Sequence, residues 1–323
     1  MSRPTAVLYD APGPRARRVT LVVSLVAIAV LAVAAYLFVY RPLDRQGQFT
    51  MAKWGPLIDP GNENFGPLWM RLGVGFRATL LAAALAIVSS LVLGTGLAVL
   101  RIQLRALLGR RFTGLATPLR AGLVGLSWLL NGVTRVFVEV FRGLPVVITI
   151  FFVANALPRL GLNLGEALWY LIVGLTLYNM VVIGEILRSG MEGLPGGQRE
   201  AASSLGLSSF QTVRIILLPQ AFRIMLPALI GQLVVVLKDT SLGFIISYEE
   251  VLRISGQVIQ SLNNPIQIYV AVGAIYIALN YALSKLAEYL ERRLARGRRS
   301  PGPAPAPPPS TLAATGEPVR PPV

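Results

Sequence analysis

Of 323 residues, 54% are hydrophobic and only 14% are charged, with a mean hydropathy of +0.62. Soluble domains carry about a quarter of their residues as charged side chains, so the composition excludes an ordinary soluble enzyme and points to a polytopic membrane protein. With no Cys and no His the chain has no disulfides, thiol nucleophiles, imidazole bases or usual zinc ligands; its net charge of +15 sits mostly at the ends of apolar runs, where it signals topology and contact with anionic lipid rather than nucleic acid.

Nucleotide chemistry is excluded in a similar way. A Walker A loop needs Gly-Lys-Ser/Thr, and none of Lys53, Lys238 and Lys285 is followed by Ser or Thr. The chain is therefore not that kind of ATPase.

Residues 1–18 are polar and expected to be cytoplasmic, with Arg15, Arg17 and Arg18 just before an apolar run at 19–40. About 20 apolar residues span a bilayer. A cleaved leader is the competing reading, with Ala32-Val33-Ala34 as a loose cleavage site. The run continues past that site and exceeds a usual leader core, so an uncleaved anchor is expected. Residues 41–73 hold Pro42, Pro56, Pro60, Gly61 and Pro67 among mixed charges, together with Trp54 and Trp69, and read as an extracytoplasmic loop with interfacial aromatics. A second span is expected at 74–100; it contains Thr79, and its small residues Ser89, Ser90, Gly94 and Gly96 allow close helix approach.

Arg101, Arg105, Arg110, Arg111 and Arg120 then form a basic segment that the positive-inside rule places in the cytoplasm. A helical pattern from Leu126 leads into a span ending near Leu157. Glu139 and Arg142 lie one turn apart, so a local ion pair and a transport role are both open for them. An outer loop at 158–166 precedes a span at 167–187. Asn179 lies near its middle, with Glu185 and Arg188 closer to its cytoplasmic end.

The stretch from Gln198 to Pro219, QREAASSLGLSSFQTVRIILLP, is a polar, helix-prone island between apolar segments. Gly206 suits a helix C-terminus followed by a sharp bend. Ser208 with Gln211 has the form of a capping box opening a second short helix. Two short helices meeting near Gly206 make a compact knob. The span at 224–246 follows, with a bent start at Pro219 and Pro227. Near its middle lies Lys238-Asp239-Thr240-Ser241. Ionisable groups at that depth cost about 2.5–3.5 kcal/mol each, so they face a polar cavity or a partner. A polar pathway formed by this set with Asn179 is one reading, and a helix break or a dimer contact is the alternative. Residues 247–265 read as an outer region and 266–286 as the last span. The tail at 291–323 is basic, then Pro/Ala-rich, and expected to be disordered. Six spans with both termini inside put every dense Arg cluster in the cytoplasm.

The spacing EAA-x3-G-x9-I-x-L-P at 200–219 resembles the cytoplasmic coupling loop of permease subunits of bacterial ABC importers. GEILRSGMEGLPGGQREAASSLGLS and LPQAFRIMLPALIGQLVVVLKDTSLGF are similar to the polar amino-acid branch of that family. The start of the second span resembles the branch's first core helix. EVFRGLP at 139–145 resembles a signature in which Arg-Gly-Thr-Pro is commoner, with Leu144 replacing the Thr. The resemblance covers roughly residues 74–290 and implies an all-α fold of five core helices, to which the anchor adds a sixth. It implies a second permease subunit, identical or not, two ATPase subunits that hydrolyse the ATP, and an extracytoplasmic amino-acid-binding protein. It also implies a multi-pass protein of the bacterial cell membrane. Glu200, Ala201, Ala202 and Gly206 would couple to the ATPase; Asn179, Lys238, Asp239, Thr240 and Ser241 would offer partners for both ends of an amino-acid substrate, with Glu185 and Arg188 as secondary candidates. No cofactor, metal or catalytic residue is expected on this chain. The Pro/Ala/Arg-rich style looks actinobacterial, where glutamate permeases have this layout, so glutamate is the best single substrate. A channel or passive facilitator would not need the knob, and a membrane enzyme would need convergent titratable groups that the chain lacks.

Overall fold

The computed structural model describes residues 13–109 and 117–295, and the described residues are helical with no strand. Arg110, Arg111 and the tail from 296, with residues 1–12, lie outside the described residues. We label the helices α1 (Pro14–Arg45), α2 (Met51–Ile58), α3 (Phe65–Leu108), α4 (Thr117–Gly143), α5 (Val146–Arg159), α6 (Ala167–Glu192), α7 (Gly197–Ser204), α8 (residues 209–224), α9 (Leu226–Asp239), α10 (Val251–Leu262) and α11 (Pro265–Ala295). Among the described residues, six helices are long and apolar enough to cross a membrane, matching the expected number.

Two prolines shape their helices from one turn ahead. In α1 a π-helical turn at Tyr36–Tyr40 ends just before Pro42, and in α8 a second one at Thr212–Leu217 ends just before Pro219. A proline offers no N–H to the carbonyl four residues back, and the preceding turn widens to make other bonds. The bent start expected of the 224–246 span is visible here and at Met225, where the helix breaks before Pro227.

The pair α3 and α6 is the frame of the bundle. The small residues expected to allow close approach do so selectively. A Cβ on Gly94 would lie 2.9 Å from the Met180 carbonyl oxygen, and one on Gly184 would lie 3.1 Å from that of Gly94. Ser89 and Thr176 share a hydrogen bond of 2.6 Å across the same crossing. Three apolar clusters then follow α3 along its length: Leu68 and Leu72 at one end, Ala82 and Ala86 in the middle, Ala98 and Ile102 at the other.

Several boundaries differ from the sequence reading. The expected 126–157 span is two helices, because Pro145 starts α5 and holds Leu144 out of helical geometry. Helix α5, with 14 residues, is only about 21 Å long and cannot cross a 30 Å core alone. Yet its Thr149, Ile150 and Val153 are buried in the bundle. Because the C-termini of α3 and α6 meet at the same end, α4 and α5 together carry the chain across once. The 41–73 loop is largely helical: α2 occupies it and α3 begins at Phe65. The Trp54 and Trp69 indole N–H groups donate to the carbonyls of Gln48 and Leu57, each at 3.0 Å, which fixes both side chains to the protein. The outer region at 247–265 contains α10, whose Val251, Ile254 and Val258 pack with Leu57, Leu72 and Ile268. In contrast, no residue of α1 is buried.

Candidate functional site

The knob forms as the local chemistry requires. Gly206 has φ +73°, and two bonds close helix α7 around it. The N–H of Gly206 donates to Ser203 O at 3.0 Å, and that of Leu207 to Ala202 O at 3.1 Å. This is the paired pattern of a glycine-terminated helix. Helix α8 then opens on the expected capping box: Gln211 N–H donates to Ser208 Oγ, and Ser208 N–H donates to Gln211 Oε1 at 2.8 Å. Glu200, Ala201 and Gly206 are exposed, but Ala202 is only 1% exposed and faces α8. The three letters of EAA therefore divide into two faces of one turn, since neighbours on a helix point about 100° apart. Large apolar side chains of the knob, Leu205 and Phe210, project outward.

Ion pairs lock the ends of α3 and α6 beneath the knob, and two side-chain hydrogen bonds fasten the knob to them. Arg101 on α3 pairs with Glu185 on α6, Arg188 with both Glu185 and Glu192, and Arg105 with Glu192. Glu185 and Arg188, which were secondary candidates for the substrate pathway, are thus engaged at the end of the α3–α6 pair. Arg199 Nη2 donates to the Met191 carbonyl at 3.2 Å, and Gln103 Nε2 to that of Ser209 at 3.3 Å. A recess of about 630 Å³ lies under the knob beside Arg105, Glu192 and Arg199. Glu139 and Arg142 are both exposed, and no ion pair joins them among those found in the described residues.

The second polar site lies at the end of α9. The α-helix stops at Asp239 and continues as a 3₁₀ segment, Thr240–Ile246, so the KDTS run is a helix break. A 3₁₀ stretch of that length is unusual and marks hinges. The break turns Lys238, Asp239 and Ser241 into a groove of about 750 Å³ against Tyr269, Tyr276 and Asn280 of α11. Thr240 is buried on the other side, with its hydroxyl donating to Leu237 O at 2.6 Å. Asn179 is also fully buried and away from the groove. It donates to Leu175 O at 2.8 Å and accepts from Gln232 Nε2 at 2.7 Å. The structure therefore brings three of the five pathway candidates together and separates two. It adds Tyr269, Tyr276 and Asn280, whose seven- and four-residue spacing places them on one face of a helix, a signal present in the sequence.

These features can be set against known proteins. Residues 114–296 match the family of binding-protein-dependent transport system inner membrane components. The chain belongs to this family. A glutamate transport system permease protein, GluD, of Corynebacterium glutamicum is 37% identical over 260 residues, covering 79% of this chain and 85% of the relative. The glutamine transport system permease protein GlnP of Escherichia coli is 35% identical over 184 residues, covering 56% and 84%. Among solved structures, an amino acid ABC transporter crystallised with histidines superposes with a TM-score of 0.56 at 24% identity, over 71% of this chain and 95% of that one. The MetNI methionine ABC transporter does so at 0.54 and 20% identity, over 71% and 98%. At those identities the two superpositions establish the fold.

At the end of this inner-membrane component opposite the knob, α10 is latched to α3. Val251 N–H donates to Thr79 Oγ1 at 3.2 Å, and the Tyr248 hydroxyl to Ala78 O at 2.9 Å. Glu250 caps α10 by accepting from Leu252 N–H and Arg253 N–H at 2.9 and 2.7 Å. It is fully buried, and that desolvation pushes its carboxyl up to about 7 against the pull of the two N–H groups. Thr79 on α3 is the acceptor that positions α10.

Proposed function

We propose that this chain is the membrane-spanning subunit of an ATP-driven amino-acid importer, and that its substrate is glutamate. The knob at 198–219 carries the reading: an exposed, doubly capped bend fastened to the ends of α3 and α6 suits a part that a separate ATPase subunit grips differently in two states. An extracytoplasmic binding protein would deliver the substrate, and a second membrane subunit would complete the pathway. Kinship with the Corynebacterium glutamate permease supports the choice of substrate. In proteoliposomes holding the complex of this chain with its ATPase, addition of ATP and glutamate-loaded binding protein should drive glutamate uptake. Uptake that proceeds equally without ATP would instead favour a passive facilitator.

The reading assigns the Arg-rich end to the cytoplasm. The chain has no native cysteine, so single introduced thiols report sidedness cleanly. Leu162→Cys, in the exposed turn between α5 and α6, should react with an impermeant maleimide on intact cells. Ser203→Cys in the knob should stay unlabelled, and rapid labelling there would overturn the orientation.

Within this reading, Lys238, Asp239 and Ser241 form the pathway side of α9. Lys238→Met and Asp239→Asn are expected to leave assembly and basal ATP hydrolysis intact while uptake falls by at least about tenfold, the loss of one charge-assisted contact. Asn179→Ala should act differently. It leaves Gln232 without its buried partner and should lower stability by about 1–3 kcal/mol without changing substrate preference. Normal uptake by both charge variants would remove the groove from the pathway.

A further inference from the structure

The bend at Gly206 carries no packing of its own, since a Cβ there would meet nothing within 4 Å. Its two arms, α7 and α8, are hydrogen-bonded to different helices, α7 to the end of α6 through Arg199 and α8 to the end of α3 through Gln103, and α8 also packs on α6 through Leu217 and Ala221. Only α8 leads on, through Met225, into α9 and the Lys238 groove. A displacement applied to exposed α7 reaches α9 only if the arms move together. Otherwise the bend absorbs it.

One direct side-chain bond joins the arms at their far ends. Gln220 Nε2 donates to Gln198 Oε1 at 2.6 Å and, with its other hydrogen, to the Ile216 carbonyl at 2.9 Å. Gln198 stands eight residues before Gly206, about 12 Å along the helix from the bend, so a bond there resists opening with a long lever. Gln220 also follows the π-helical turn at Thr212–Leu217, the part of α8 that Pro219 weakens, and its second bond braces that turn. Both amides are half-buried, where exchange with water competes less with the bond.

We propose that Gln198 and Gln220 form a strap that makes the two arms of the knob a rigid lever, and that they are positioning residues for transmission of ATPase motion to the groove. This rests on the coupling reading above. The strap acts on how fully the lever transmits, and the residues touch neither ATP nor substrate.

The test uses the reconstituted complex with a single thiol, Ser241→Cys, as a reporter in the groove. Its maleimide labelling rate is read with and without ATP, a measurement independent of which amino acid is carried. With the strap intact, ATP should change the rate. Gln198→Leu and Gln220→Leu should still copurify with the ATPase and hydrolyse ATP, while the ATP-dependent change shrinks about fivefold, the factor that one net hydrogen bond contributes. The pair Gln198→Glu with Gln220→Lys rejoins the arms through an ion pair and should restore the response. The strap is refuted if the leucine variants respond fully, if they lose the ATPase altogether, or if the Glu/Lys pair restores nothing. Absence of any ATP response with Gln198 and Gln220 unchanged would overturn the coupling reading itself, and the strap with it.

Discussion

Gly206→Val should abolish uptake while the protein still inserts and binds lipid normally. The residue sits at φ +73°, a region in which a β-branched side chain is a severe outlier. Holding valine there costs about 1–3 kcal/mol. A shift of one or two kcal/mol depopulates the native bend by a factor of about 5–30. The two bonds that close α7, from Gly206 and Leu207, would be lost with it. Space is open around the position, so steric collision plays no part, and Gly206→Asn supplies the control. Asparagine tolerates the left-handed region and should retain most uptake. Glutamate uptake and ATPase copurification, measured side by side for both variants, check this. Uptake at the normal rate by the valine variant would remove the bend from the coupling mechanism.

The second large effect is expected at Gly94. A Cβ there would meet the Met180 carbonyl at 2.9 Å and Ile183 Cγ2 at 3.0 Å, both in the tightest part of the α3–α6 crossing. A backbone carbonyl cannot rotate away, so Gly94→Val must push the two helices apart. Overpacking of this kind costs about 1–3 kcal/mol, and the separation would also stretch the Ser89–Thr176 bond and the Arg101–Glu185 pair that span the same two helices. Gly96, two residues on, has nothing within 4 Å of an added Cβ. Gly96→Val should therefore change stability by no more than about 0.5 kcal/mol. Thermal aggregation of the two variants in detergent gives the comparison, and equal midpoints would show that the crossing tolerates a wider spacing.

Much of the chain could be read without its structure, and what could be read was local. A glycine followed by Ser-x-x-Gln defines a helix end and a helix start whatever surrounds them, and the Gly206 conformation and the Ser208–Gln211 box follow from those residues alone. Apolar runs of sufficient length give the membrane spans. Prolines break or widen the helices that contain them, as at Pro42, Pro145 and Pro219, although their exact effect depends on the turn before. The short outer helices α2 and α10 escaped the reading because Gly55-Pro56 within α2 and Glu249, Glu250 and Arg253 about the start of α10 have the composition of loops. They hold as helices by burying Leu57, Val251 and Ile254 against α3 and α11.

What the sequence by itself determined is the membrane class, the number of spans, the bend of the knob and the grouping of basic residues at the ends of helices. Each depends on side chains close together in the chain, where spacing alone fixes the chemistry. The tertiary structure decided which of those side chains meet. Ala202 turned inward while Glu200 and Ala201 stayed exposed, and Asn179 found Gln232 rather than the Lys238 groove. Glu185 paired with both Arg101 and Arg188, and the 3₁₀ break after Asp239 set Thr240 and Ser241 on opposite sides. Those outcomes turn on helix rotation and on contacts across 50 or more residues of chain, such as the 53-residue separation of Asn179 and Gln232. A helical pattern gives the faces of each helix, but the neighbour that each face meets is selected by the packing of the whole bundle.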